Sequence, residues 1–191
     1  MFGLKMLFDG IPVLDRVAQR LADAFATGLS WHLGLLGLGA IALYGLVAIP
    51  YGLKNGFLVR QNAVANPLSL GLDALRRLIA PALLEETIFR VMLLPHPNEG
   101  VPSDGWLLWG IVSLVAFILY HVVLDKTLYR GGKAGLSDPR FLGLAGWLGL
   151  VLSGLYWMTG SLWLVVLLHW AVVLVWIYSL GGWARLGSAV P

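Results

Sequence analysis

Residues 141–180 read FLGLAGWLGLVLSGLYWMTGSLWLVVLLHWAVVLVWIYSL, without one Asp, Glu, Lys or Arg. A helix needs about 20 mainly apolar residues to cross a bilayer, and this stretch offers two, at 141–158 and 161–180. The link Thr159-Gly160-Ser161 is too short for anything but an antiparallel helical hairpin. Working upstream, three more candidate spans occur at 33–53, 74–94 and 106–124. Ahead of them, Val13, Leu14, Val17, Leu21, Ala24 and Phe25 recur at helical spacing within 13–30. Asp15, Arg16, Gln19, Arg20 and Asp23 make that segment too polar to span, so it reads as an interfacial or packing amphipathic helix. The expected fold is all-α, a polytopic transmembrane helical bundle of about five spans plus the N-terminal amphipathic helix. The expected division is an N-terminal segment, 1–32, and a transmembrane domain, 33–183.

Composition agrees with a membrane protein. The 191 residues are 59% hydrophobic and 12% charged, against about 25% charged in an average soluble domain; mean hydropathy is +0.82. There is no Cys, which excludes disulfides, thiolate metal sites and a cysteine nucleophile. The net charge of +3 sits in loops, and no basic stripe with interleaved aromatics points to nucleic acid. Trp106, Trp109, Trp147, Trp157, Trp163, Trp176 and Trp183 lie mostly near span ends, as in interfacial belts. Gly34, Gly37, Gly39, Gly143, Gly146 and Gly149 read as close helix-packing positions.

Loop charge gives an orientation. Lys54 and Arg60 lie between the first two spans, with Arg76 and Arg77 at the border of the second, Lys126, Arg130, Lys133 and Arg140 in 125–140, and Arg185 in the tail; 95–105 holds no Lys or Arg. The positive-inside rule then assigns 54–77, 125–140 and the C-terminus to the cytoplasm. It leaves Lys5, Arg16 and Arg20 on the opposite side, where they fit poorly despite Asp9, Asp15 and Asp23.

Against this apolar background one stretch stands out: Leu83-Leu84-Glu85-Glu86-Thr87-Ile88-Phe89-Arg90-Val91. Only three Glu occur in the chain, and two are adjacent here. A charge within a bilayer costs a few kcal/mol and marks function by default. Glu86 and Arg90 are i and i+4 and can pair, whereas Glu85 points about 100° away. One neutralised pair and one spare carboxylate result, the latter suited to general-base work. His121, on the same face as Phe117, and His169 lie in later apolar helices. Each alone reads as a hydrogen-bonded core histidine; together with the glutamates they suggest a site. His32 and His96, at a span edge and in a loop, read as structural. From the rise per helical residue, Glu85, His121 and His169 lie about 10, 5 and 16 Å from the cytoplasmic helix ends. Tilt would have to bring them to one level.

These residues resemble the CAAX-protease and bacteriocin-processing (CPBP, or Abi) intramembrane proteases. Glu85-Glu86-x-x-x-Arg90, preceded by Pro81 and including Phe89, is similar to the EExxxR signature. Phe117-x-x-x-His121 is similar to FxxxH, and the Thr159–Trp163 hairpin before His169 is similar to the last motif region. The resemblance covers about 75–180. It implies an intramembrane endopeptidase in which Glu85 and His121 activate water and His169 stabilises the oxyanion. Glu86, Arg90 and Phe117 would shape the site. The polar residue expected four positions after the last histidine is Val173 here, which donates no hydrogen bond; Tyr120, Tyr156 and Trp170 are candidate substitutes. The family has been described both as metalloproteases and as glutamate proteases. The metal-free reading is favoured, with zinc on Glu85, His121 and His169 as the alternative. The implied partners are the lipid bilayer and a membrane-associated, prenylated or bacteriocin-like peptide, and the expected location is the bacterial inner (plasma) membrane. Two rivals stand beside this reading: an inactive scaffold or immunity-type binding protein of the same fold, and a proton-coupled carrier using Glu85 and His121 as a relay.

Overall fold

The computed structural model describes residues 12–63, 66–129 and 134–187, and contains no strand among them. Lys5, Asp9, Arg130 and Lys133, used above for topology, lie outside the described residues. In chain order the elements are α1 (Pro12–Ala26), α2 (Trp31–Lys54) and α3 (Pro67–Arg77), then the short turn α4 (Leu84–Glu86). There follow α5 (Ser103–Thr127), α6 (Pro139–Thr159), α7 (Leu162–Ser179) and α8 (Gly182–Gly187). The protein is a helical membrane bundle: α2, α5, α6 and α7 are each long and apolar enough to span. Their ends follow local signals. The Ser30 side chain accepts from the Leu33 N–H to start α2, and Asp138 with Pro139 starts α6. Gly160, at φ +63°, ends α6, and Ser161 caps α7.

The stretch 74–94, expected as one continuous span, is broken. α3 stops at Arg77, Ala80 is extended (φ −134°, ψ 115°), and the Ala80–Pro81 peptide is cis. Proline lacks an N–H, and it disfavours helical backbone at the residue before it. The break lies within Leu78–Leu83, and after α4 the helix widens to π geometry at Thr87–Met92. π segments concentrate at functional sites, and the two glutamates directly precede this one.

α6 is the centre of the bundle and packs against α2, α5 and α7. Its Leu148, Leu152, Leu155 and Tyr156 form the main core with Leu162, Val165 and Val166 of α7 and Val91 and Leu94 of the broken helix. α1 joins that core through Ala24. Arg20, out of place by charge counting, is paired: its Nε and Nη2 donate to Glu99 at 2.6 and 2.9 Å, and Nη1 to the Met92 carbonyl at 3.1 Å. Ser161 Oγ donates to the Thr27 carbonyl nearby. At the opposite end, Arg140 donates to the Asn55 carbonyl and Arg185 to the Phe57 carbonyl, while the Val59 and Gln61 N–H groups reach Leu180 and Ser179. The loops thus alternate between two ends as the charge pattern requires.

Candidate active site

Glu85 and Glu86 leave α4 in different directions and are both buried. Glu86 turns into the protein. Its Oε2 lies 3.1 Å from Arg90 Nε, and its Oε1 accepts from His169 Nδ1 at 2.7 Å. Arg90 is 1% exposed. Its Nη2 donates to the Gly149 carbonyl at 3.3 Å, and its guanidinium carbon sits 4.7 Å above the Phe117 ring. A methyl group on Gly149 would come within 2.8 Å of Leu114 and 3.5 Å of Arg90 Nη2. Gly149 was read as a packing position; it is also the residue whose backbone holds Arg90.

Glu85 faces the other way. Its Oε2 lies 3.9 Å from His121 Nε2 and 3.8 Å from His169 Nε2, and has no hydrogen-bond partner among the described residues. The three elements therefore bring Glu85, His121 and His169 to one level, as the sequence required. His121 Nδ1 lies 2.8 Å from the Phe117 carbonyl. A carbonyl only accepts, so Nδ1 carries the proton and the neutral ring presents Nε2 as an acceptor. His169 Nδ1 donates to Glu86, which leaves its Nε2 edge toward Glu85. Phe117 stacks edge-on against His121, with ring centroids 4.6 Å apart.

Of the three candidate replacements for the donor missing at Val173, the structure brings one to the site. The Trp170 indole donates to the Ala74 carbonyl at 2.8 Å. Tyr156 packs against His96 near the Gly160 turn. Tyr120 lines the same cavity as Glu85, His121, His169 and Val173, with its hydroxyl beside the Glu85 carboxylate. His96 caps the turn at Pro97–Glu99 and is structural, as read.

The cavity has a volume of about 410 Å³. Beyond the glutamate and histidines its walls are apolar and aromatic, including Phe57, Leu124, Phe141 and Trp176. One charged residue of the lining was missed by sequence reading: Arg77, at the end of α3. Its position just before Pro81 was the only available signal.

A carboxylate and two imidazoles are ligand types that zinc accepts. Among the described residues no group of three or more His, Cys, Asp or Glu side chains is spaced to hold a metal ion; zinc bound by Glu85, His121 and His169 would need the 3.8 and 3.9 Å separations from Glu85 to shorten.

The family model for Rce1-like, type II CAAX prenyl endopeptidases matches residues 67–175, more than half of the chain. The chain belongs to the Rce1-like family. Comparison with curated proteins and with solved structures returned no match. In this Rce1-like chain the matched region begins at α3 and ends within α7, so it contains the broken helix, both histidine-bearing helices and the α6–α7 hairpin. α1 and α2 lie before it and supply the Arg20 clasp and one cavity wall.

Proposed function

We propose that this protein is an active intramembrane endopeptidase that hydrolyses a peptide bond near the C-terminus of a prenylated, membrane-associated peptide, using water activated by Glu85. The observation that carries this is the convergence of Glu85 Oε2 with two imidazole Nε2 atoms at 3.8 and 3.9 Å, inside an apolar cavity. A water hydrogen-bonded to Glu85 and His121 Nε2 gives its proton to the carboxylate as its oxygen attacks the scissile carbonyl. Carrying a proton on both nitrogens, His169 donates Nδ1–H to Glu86 and keeps Nε2–H for the oxyanion. The Tyr120 hydroxyl supplies the second donor in place of Val173. Glu85 then returns its proton to the departing amine. Glu86, Arg90 and the Gly149 carbonyl keep the imidazole aimed without taking part in bond making.

The membership of the Rce1-like family favours the enzyme over the scaffold reading. The test is hydrolysis of a farnesylated CAAX peptide by purified protein in detergent. Turnover that vanishes in Glu85→Gln and survives 1,10-phenanthroline supports a glutamate-activated water. Turnover lost to the chelator and restored by zinc would overturn the metal-free step. Equal turnover in wild type and Glu85→Gln would overturn the role of Glu85.

A further inference from the structure

Among the described residues, Arg77 is the one Lys or Arg lining the catalytic cavity. It closes α3, immediately before the break at Ala80, and its side chain is 19% exposed. Only part of the guanidinium is engaged. Nε donates to Asp73 Oδ2 at 2.7 Å, and the Tyr178 hydroxyl lies 2.9 Å from that same oxygen and from the Leu70 carbonyl. Asp73 and Tyr178 thereby hold the side chain by its Nε edge. The Nη groups carry four further N–H donors in a fixed plane, the fork that matches a carboxylate.

A cavity lined by both residues suits a short peptide end. Arg77 and Glu85 are eight positions apart in sequence on either side of the break at Ala80, and both line the one cavity. Three extended peptide residues span about 10–11 Å. A CAAX box is by definition C-terminal, so any bond cut within it lies at most three residues from a free α-carboxylate.

We propose that Arg77 is a specificity-determining residue that binds the C-terminal α-carboxylate of the peptide substrate while its scissile bond lies at Glu85. This rests on the endopeptidase reading above. Asp73 orients the guanidinium, and its single negative charge leaves the two Nη groups to meet a second carboxylate. A peptide continuing past the box, or one whose terminus is amidated, forfeits this contact. The arginine thus restricts an endopeptidase to the ends of chains.

The test compares one fluorescent farnesylated CAAX peptide as free acid and as C-terminal amide. Binding and hydrolysis are both measured on the full-length protein in detergent. A charge-assisted contact of this kind predicts an acid-over-amide affinity ratio of about tenfold or more in wild type. The ratio should fall to near one in Arg77→Gln and be partly kept in Arg77→Lys. A wild-type ratio of one, with hydrolysis intact, overturns the role of Arg77 and leaves the protease standing. A ratio that persists in Arg77→Gln overturns it equally. Acid-selective, Arg77-dependent binding without any hydrolysis upholds the carboxylate site and sinks the protease reading. No binding of either peptide overturns both.

Discussion

Glu86 Oε1 and His169 Nδ1 are 2.7 Å apart, a hydrogen bond that ties the broken helix to α7 across 83 positions of sequence. The same carboxylate meets Arg90 with its other oxygen at 3.1 Å. Glu86 is therefore the hinge of a structural network, and its neighbour Glu85 is the acceptor that network leaves over. The two glutamates should separate cleanly on substitution. Glu85→Gln is expected to abolish hydrolysis while leaving thermal stability equal or higher. Glu86→Gln leaves Arg90 buried without its charge partner, which typically costs about 3–5 kcal/mol. Its melting temperature and its turnover should fall together. Thermal unfolding and hydrolysis measured side by side on both variants check this; a Glu86→Gln protein as stable as wild type contradicts it.

Tyr120 and Val173 line the same cavity as the two histidines. If the phenol replaces the donor that valine cannot provide, Tyr120→Phe should lower kcat by a factor of about 10²–10³, as removal of an oxyanion donor does. Val173→Asn in the Tyr120→Phe background should restore part of that loss. Single-turnover kinetics on the two single variants and the double variant decide the point. A Tyr120→Phe enzyme with unaltered kcat assigns the phenol no part in the reaction.

Much of this was legible in the sequence, for reasons that can be traced. The hairpin at Gly160 and the four long spans follow from apolar length and one turn signal. The Glu86–Arg90 pairing follows from i,i+4 geometry. That Glu85, His121 and His169 meet was inferable because isolated polar groups in lipid must find one another. What was not legible depends on backbone path. Pro81 was in view, yet the extended Ala80 and the resulting split of 74–94 required the folded chain. The Gly149 carbonyl as partner of Arg90, and Glu99 as partner of Arg20, are long-range contacts that no local spacing encodes. Arg77 was counted as a loop charge, whereas the break turns it to the cavity.

Gly149 is expected to accept a methyl group only if Leu114 shifts. A Cβ there meets Leu114 Cδ1 at 2.8 Å, so that side chain must move, while Arg90 Nη2 stays in ordinary contact at 3.5 Å. Overpacking of this kind costs about 1–3 kcal/mol. Gly149→Ala should therefore lower the melting temperature by several degrees, and Leu114→Ala in the same chain should recover part of the loss by opening the space. Failure of Leu114→Ala to recover any stability would place the clash elsewhere. Hydrolysis should fall more than stability at temperatures where the variant is fully folded, because displacing α6 also moves the carbonyl that holds Arg90.

The Arg20–Glu99 clasp gives the fold a pH dependence outside the membrane. Burial alone would raise the Glu99 carboxyl, but the Arg20 hydrogen bond, the His96 N–H and the Arg20 charge outweigh it and hold the group below its ordinary value of 4.5. A carboxylate depressed in the folded state adds stability that is fully present above its unfolded value and is lost as pH falls through the folded one. Arg20→Gln should therefore be less stable than wild type at neutral pH, by about 1–2 kcal/mol for a pair still partly open to solvent. The gap in melting temperature between the two proteins should narrow as pH falls below 4.5. Because Arg20 also holds the Met92 carbonyl at the far end of the glutamate-bearing helix, the variant should lose turnover at neutral pH as well. A constant gap between wild type and Arg20→Gln from pH 7 to pH 3 would mean that Arg20 stabilises the fold through its carbonyl contact and packing rather than through Glu99.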